Sequence, residues 1–154
     1  MSSAQVLTAY LWSPYLSQEV LVLLGKFGKI LPLPTRQLYG GVTEELFLRW
    51  GLLTFLVWLF WRILRKGIGT PGPIVFITAI IISSLVFAAG HLPLAFFLVS
   101  EPTLALIGFV IVSNSLFGIT AGVLYWKKGL ESAILAHAIA HLVMLTASHF
   151  QAYF

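Results

Sequence analysis

The stretch GVTEELFLRWGLLTFLVWLFWRIL, Gly41 to Leu64, decides the fold. Its apolar part runs for roughly 20 residues, the length a helix needs to cross the hydrocarbon core of a bilayer. Yet it opens on Glu44 and Glu45 and carries Arg49 within its first turns. A charge in hydrocarbon costs several kcal/mol unless it is paired or faces a polar cavity. Thr43 is expected to cap this helix and the two glutamates to fall in its first turn, where the helix dipole favours negative charge.

The rest of the chain repeats the apolar pattern. Of its 154 residues 59% are hydrophobic and 9% charged, and its mean hydropathy is +0.97. A soluble domain would carry about a quarter charged residues. Further apolar runs are expected from Pro73 to Gly90, Leu104 to Trp126 and Leu130 to Ala147, separated by "RKGIGTPGP", "GHLP" and the Lys127–Lys128–Gly129 turn. A weaker segment, Gln5 to Leu31, is broken by Pro14, Gln18, Glu19 and Lys26; it spans with a kink, re-enters, or lies in the interface. "LPLPTRQLYGG" after it reads as a chain break. The fold class is therefore an all-α polytopic transmembrane bundle of about 4–5 membrane helices with an interfacial or re-entrant N-terminal segment. It is read as one integral-membrane domain, 1–154, with an N-terminal segment 1–40 and a motif-bearing core 41–147. Its first partner is the lipid bilayer, and its expected location is a prokaryotic inner membrane.

Several functions are set aside at this level. With no cysteine, disulfides, thiolate metal sites and a cysteine nucleophile are excluded. The basic residues form short groups between apolar runs: Lys26, Lys29 and Arg36; Arg62, Arg65 and Lys66; Lys127 and Lys128. They read as interfacial anchors, and no nucleic acid is expected as a partner. Met1 to Thr8 lacks the positive region of a signal peptide. The second and third groups fall on one side, which the positive-inside rule makes cytoplasmic. The first group offsets that bias, so charge alone does not orient the chain. Ser113–Asn114–Ser115 and the Gly118–Gly122 spacing suit close helix contact. His149 reads as interfacial, Glu131 as a helix-start acid, Glu101 as a loop residue, and the tryptophans as interface or packing aromatics.

What remains in membrane positions is Glu44, Glu45, Arg49, His91, His137 and His141. Glu45 and Arg49 are four apart, share a helix face and can pair. Glu44 lies about 100° away, with no such partner in sequence, free to act on water or a metal. His137 and His141, in "HAIAH", share a face of the last helix and can hold a metal or donate hydrogen bonds to one oxygen. His91 sits at the break that ends the third helix. Single crossings put Glu44 and His91 near one side, with His137 and His141 roughly 10 and 16 Å in from the other. Bringing them together then needs tilt or a deep cavity.

The order of these motifs resembles the CPBP family of intramembrane proteases, which includes CAAX prenyl-protein endopeptidases. The resemblance is carried by "EELFLR" at Glu44 to Arg49, "FAAGH" at Phe87 to His91 and "HAIAH" at His137 to His141, and covers Gly41 to Thr146. It implies an endopeptidase in which Glu44, aided by His91, activates water. His137 and His141 would then stabilise the oxyanion, with Glu45 and Arg49 in support. His141 stands where the family often has asparagine. Whether the chemistry uses no cofactor or a zinc ion held by Glu44, His91, His137 and His141 stays open. The implied substrate is a membrane-associated protein or peptide: a C-terminal sorting signal, a prenylated CAAX-type tail or a leader peptide. The alternatives are a metal-ion transporter or metal-binding membrane protein using the same groups, and a catalytically silent scaffold.

Overall fold

A computed structural model describes residues 2–30 and 32–151, with side chains placed for 6–26 and 32–147. The side chain of His149 lies outside that range. All the regular elements among the described residues are helical: α1 (Ser2–Trp12), α2 (Gln18–Ile30), α3 (Leu33–Arg65), α4 (Pro73–Gly90), α5 (Leu92–Leu98), α6 (Leu104–Lys128) and α7 (Leu130–Gln151). Among the described residues four stretches are long and apolar enough to cross a membrane: α3, α4 with α5, α6, and α7 over Leu130–Ala147. Large apolar side chains such as Phe47, Trp50, Ile74 and Phe97 point outward, as helices dissolved in lipid require. The protein is a polytopic helical bundle.

Pro and Gly punctuation sets most boundaries. Pro73 and Pro93 each occupy the first turn of a helix, where a missing N–H is no loss. Gly129 takes φ +93° and joins α6 to α7 through a single residue, a conformation that side-chain-bearing residues rarely adopt. The chain breaks at His91, whose N–H bonds back to Ala88 O at 3.1 Å while its own carbonyl accepts from Ala95 N at 3.1 Å.

The start of α3 departs from expectation. The helix begins at Leu33, not at Thr43, so the glutamates lie inside it rather than in its first turn. Pro34 falls in the first turn, where it is tolerated, so the prolines start a helix instead of breaking one. From Gln37 to Glu44 and from Leu46 to Leu53 the coil widens to π-helical turns. Thr43 does not cap; its hydroxyl donates to Leu38 O, five residues back, at 3.0 Å. Arg36, grouped above with interfacial anchors, is 4% exposed and therefore buried.

The expected depth mismatch also dissolves. The Thr54 and Tyr125 hydroxyls are 2.7 Å apart, so Thr54, not Arg65, is level with the end of α6. From that level Glu45 is nine residues back along α3 and His137 seven residues into α7, and they meet. Helices α1 and α2, 11 and 13 residues long, are too short to cross a bilayer of roughly 30 Å. They pack on α6 and α7 instead. Leu16 and Val20 join Val99, Leu106, Phe109 and Val110 in a shared core.

Among the described residues the most extensive helix contact is α4 on α6. A Cβ on Gly118 would stand 2.9 Å from Ser84 Cβ and 3.0 Å from its Cα, and one on Gly122 would stand 2.9 Å from Ile80 Cγ2. The small-residue spacing thus serves close helix packing. Gly118→Ala is expected to destabilise the protein by about 1–3 kcal/mol through overpacking. Gly25→Ala, where nothing lies within 4 Å, should be neutral or stabilising by up to about 1 kcal/mol. Thermal unfolding in detergent checks both, and equal effects would remove the packing argument.

Candidate active site

The site is built around Glu45, which is fully buried. Its Oε2 lies 3.1 Å from Arg49 Nε one turn on, so the two pair as their spacing implies. Its Oε1 lies 2.7 Å from His137 Nδ1 on α7. Arg49 is itself 1% exposed, sends Nη2 to Gly118 O on α6 at 3.4 Å, and sets its guanidinium 5.0 Å from the Phe87 ring centroid. One carboxylate thereby ties α3 to α7, and its arginine extends the tie to α4 and α6. The desolvation of the buried carboxylate and guanidinium is thus offset by their mutual contact and by these further partners.

Glu44 takes the other direction. Its side chain is 21% exposed, and Oε2 lies 3.9 Å from His137 Nε2. His137 therefore stands between the two glutamates, one ring nitrogen toward each. Its ring packs 4.4 Å from Phe117 and 4.8 Å from His141, centroid to centroid. Phe117 carries no signal in the sequence; with Phe87 it forms the aromatic wall that holds the ion cluster apart from lipid.

His141 is fixed sterically. A Cβ at Gly40 would collide with its Nε2, so this glycine is what admits the imidazole. Neither ring nitrogen of His141 has a hydrogen-bond partner among the described residues. Gln37 Nε2 donates to Ala138 O at 3.2 Å, holding α3 against α7 between the two histidines. His91 has Nδ1 2.9 Å from Phe87 O, which makes Nδ1–H the donor and leaves Nε2 with its lone pair.

Glu44, His91, His137 and His141 all line one cavity of about 810 Å³. Glu45 and Arg49 do not; they lie behind it. Other polar residues also line it, among them Arg36, read from the sequence as an interfacial anchor, and Ser113 and Asn114, read as helix-packing residues. A lone arginine in a proline-rich stretch carries no periodic signal. Among the described residues no three His, Asp or Glu side chains stand together in a way that could hold a metal ion. Glu44, His91, His137 and His141 line the cavity without converging on one point, so the site as arranged does not fit a metal.

A family model described as type II CAAX prenyl endopeptidase, Rce1-like, matches residues 26–143. No curated protein and no solved structure matches the chain. The matched segment takes in all three motifs, the π-helical part of α3 and the cavity's histidines, and spans well over half of the sequence. The chain therefore belongs to the Rce1-like, type II CAAX prenyl endopeptidase family of intramembrane proteases.

Proposed function

We propose that the protein cleaves a peptide bond near the C-terminus of a membrane-associated, CAAX-type substrate, with Glu44 as the general base. The observation that carries this reading is the division between adjacent carboxylates. Glu45 pairs with Arg49 and His137 and does not line the cavity, whereas Glu44 does. A base must reach the proton it removes, and only Glu44 can reach a water there.

The sequence of events follows from the hydrogen bonds. A water held between Glu44 and the lone pair of His91 Nε2 loses a proton to Glu44 as its oxygen attacks the scissile carbonyl. The carbonyl oxygen becomes an oxyanion, and the histidine pair on α7 faces it. His137, when protonated on both nitrogens, donates to Glu45 through Nδ1 and to the oxyanion through Nε2. His141, with both ring nitrogens uncommitted, supplies a second donor. Glu44 then returns its proton to the leaving amine. Glu45 and Arg49 act as positioning residues: they fix the His137 ring and hold α3 in register with α7.

Zinc chemistry would require Glu44, His91, His137 and His141 to turn toward one point, an arrangement not found among the described residues. Metal titration of the purified protein is a direct check. Activity that is unchanged after exhaustive chelation supports metal-free hydrolysis, and activity restored only by zinc overturns it.

Two paired substitutions test the assignment, using a fluorogenic prenylated peptide with a C-terminal CAAX sequence. Glu44→Gln should lower kcat by about 10²–10⁴-fold with little change in Tm. Glu45→Gln should lower Tm as well, because it leaves Arg49 buried against a neutral group, a loss on the order of 3–5 kcal/mol. An active Glu44→Gln protein beside an inactive but fully stable Glu45→Gln protein would reverse the assignment. In the second pair, Gly40→Ala drives a methyl into the His141 ring and should reduce activity about tenfold or more with the fold retained. Gly41→Ala, whose Cβ meets only the Gln37 amide at 3.3 Å and Ala138 at 3.9 Å, should stay near wild type. Equal behaviour of the two alanine variants removes His141 from the mechanism.

A further inference from the structure

The cavity holds two opposite charges whose separation has a chemical meaning. Among the described residues that line it, Glu44 is the one carboxylate and Arg36 the one cation of the Lys/Arg type. The chain's other described basic clusters, Arg62, Arg65, Lys66, Lys127 and Lys128, are all exposed. Arg36 is not: it is 4% exposed and forms part of the cavity wall. Holding a guanidinium there is expensive for a membrane protein, and such placements mark sites that handle charge.

We infer that Arg36 binds the free C-terminal carboxylate of the substrate, about three residues beyond the bond that is cut; this rests on the proposed role of Glu44. Arg36 and Glu44 lie on one helix, eight residues apart, and the π-helical turns between them rise less per residue than an α-helix, so the interval is shorter than the about 12 Å of α-helical spacing. An extended peptide advances about 3.3–3.6 Å per residue, so the interval is filled by about three residues. That ruler agrees with a four-residue C-terminal C-a-a-X sequence. A planar guanidinium suits a carboxylate better than an ammonium does, because it donates two parallel hydrogen bonds. The rest of the wall is largely apolar, including Val86, Leu94, Phe109 and Met144, which fits aliphatic side chains between the two charged ends. Arg36 is thus a specificity-determining residue: it sets where the chain terminus sits and thereby which bond reaches Glu44.

The test uses two prenylated, fluorescent CAAX peptides that differ only at the terminus, one a free acid and one an amide. Binding is measured by fluorescence polarisation to the full chain in nanodiscs, in the Glu44→Gln background so that nothing is consumed. The acid should bind about tenfold or more tighter than the amide. Arg36→Gln should bring the acid down to the amide's affinity, and Arg36→Lys should recover part of the difference. Equal binding of acid and amide, or a loss in Arg36→Gln that is the same for both, overturns the inference. Turnover by the otherwise wild-type chain reads the proteolytic function separately. Acid-over-amide binding without any hydrolysis would sink the role of Glu44 and leave that of Arg36 standing.

Discussion

The bundle depends on one buried carboxylate. Glu45 has no solvent exposure and would be prohibitively costly alone, but Arg49 meets one oxygen and His137 the other. The second of these bonds crosses from α3 to α7, and the guanidinium that supplies the first reaches α6 through Gly118 O and α4 through the Phe87 ring. In lipid there is little hydrophobic drive between helices, so packing and polar ties must hold them together. The same network puts His137 in place and leaves Glu44, its neighbour, turned toward the cavity. Helix assembly and site geometry are consequences of a single set of contacts.

Close approach is the second constraint, and it is met by removing side chains. Gly118 and Gly122 let α6 lie on α4, while Gly40 lets His141 lie on α3. The wide turns from Gln37 to Leu53 belong to the same stretch. Such turns recur at functional sites because they re-aim neighbouring side chains. On this helix the affected residues include both glutamates and Arg49.

Much of this architecture could be read from the residues, and the reasons differ from place to place. Helices α4, α6 and α7 were expected within a few residues because Pro73, His91–Leu92–Pro93 and Gly129 punctuate long apolar runs. The Glu45–Arg49 pair followed from i,i+4 spacing alone. The start of α3 did not follow, since prolines before paired glycines look like a break until a partner helix fills the space that the glycines leave. Arg36 was misread for the same reason: whether a basic residue near an apolar run is an anchor or a buried wall depends on contacts far away in sequence. The distance between Glu44 and His137 was also out of reach, because it required knowing that Thr54 rather than Arg65 is level with the end of α6.

A conducting path and a hydrolytic site make different demands on a bundle, and the distribution of polar groups separates them. A transporter needs polar or small residues through both halves of the membrane. In this bundle the costly groups occupy a single layer together with the cavity on one side of it. On the other side Leu53, Ala79 and Ile80 form a dense apolar core, joined by Leu56, Val57 and Phe60. Gly122 against Ile80 leaves no room there even for a methyl group. An ion arriving at Glu44 would meet a dead end. A peptide segment would not, because it needs only to enter the cavity, be cut and leave by the way it came. The arrangement that blocks a transport path is the one that the hydrolysis proposed at Glu44 requires.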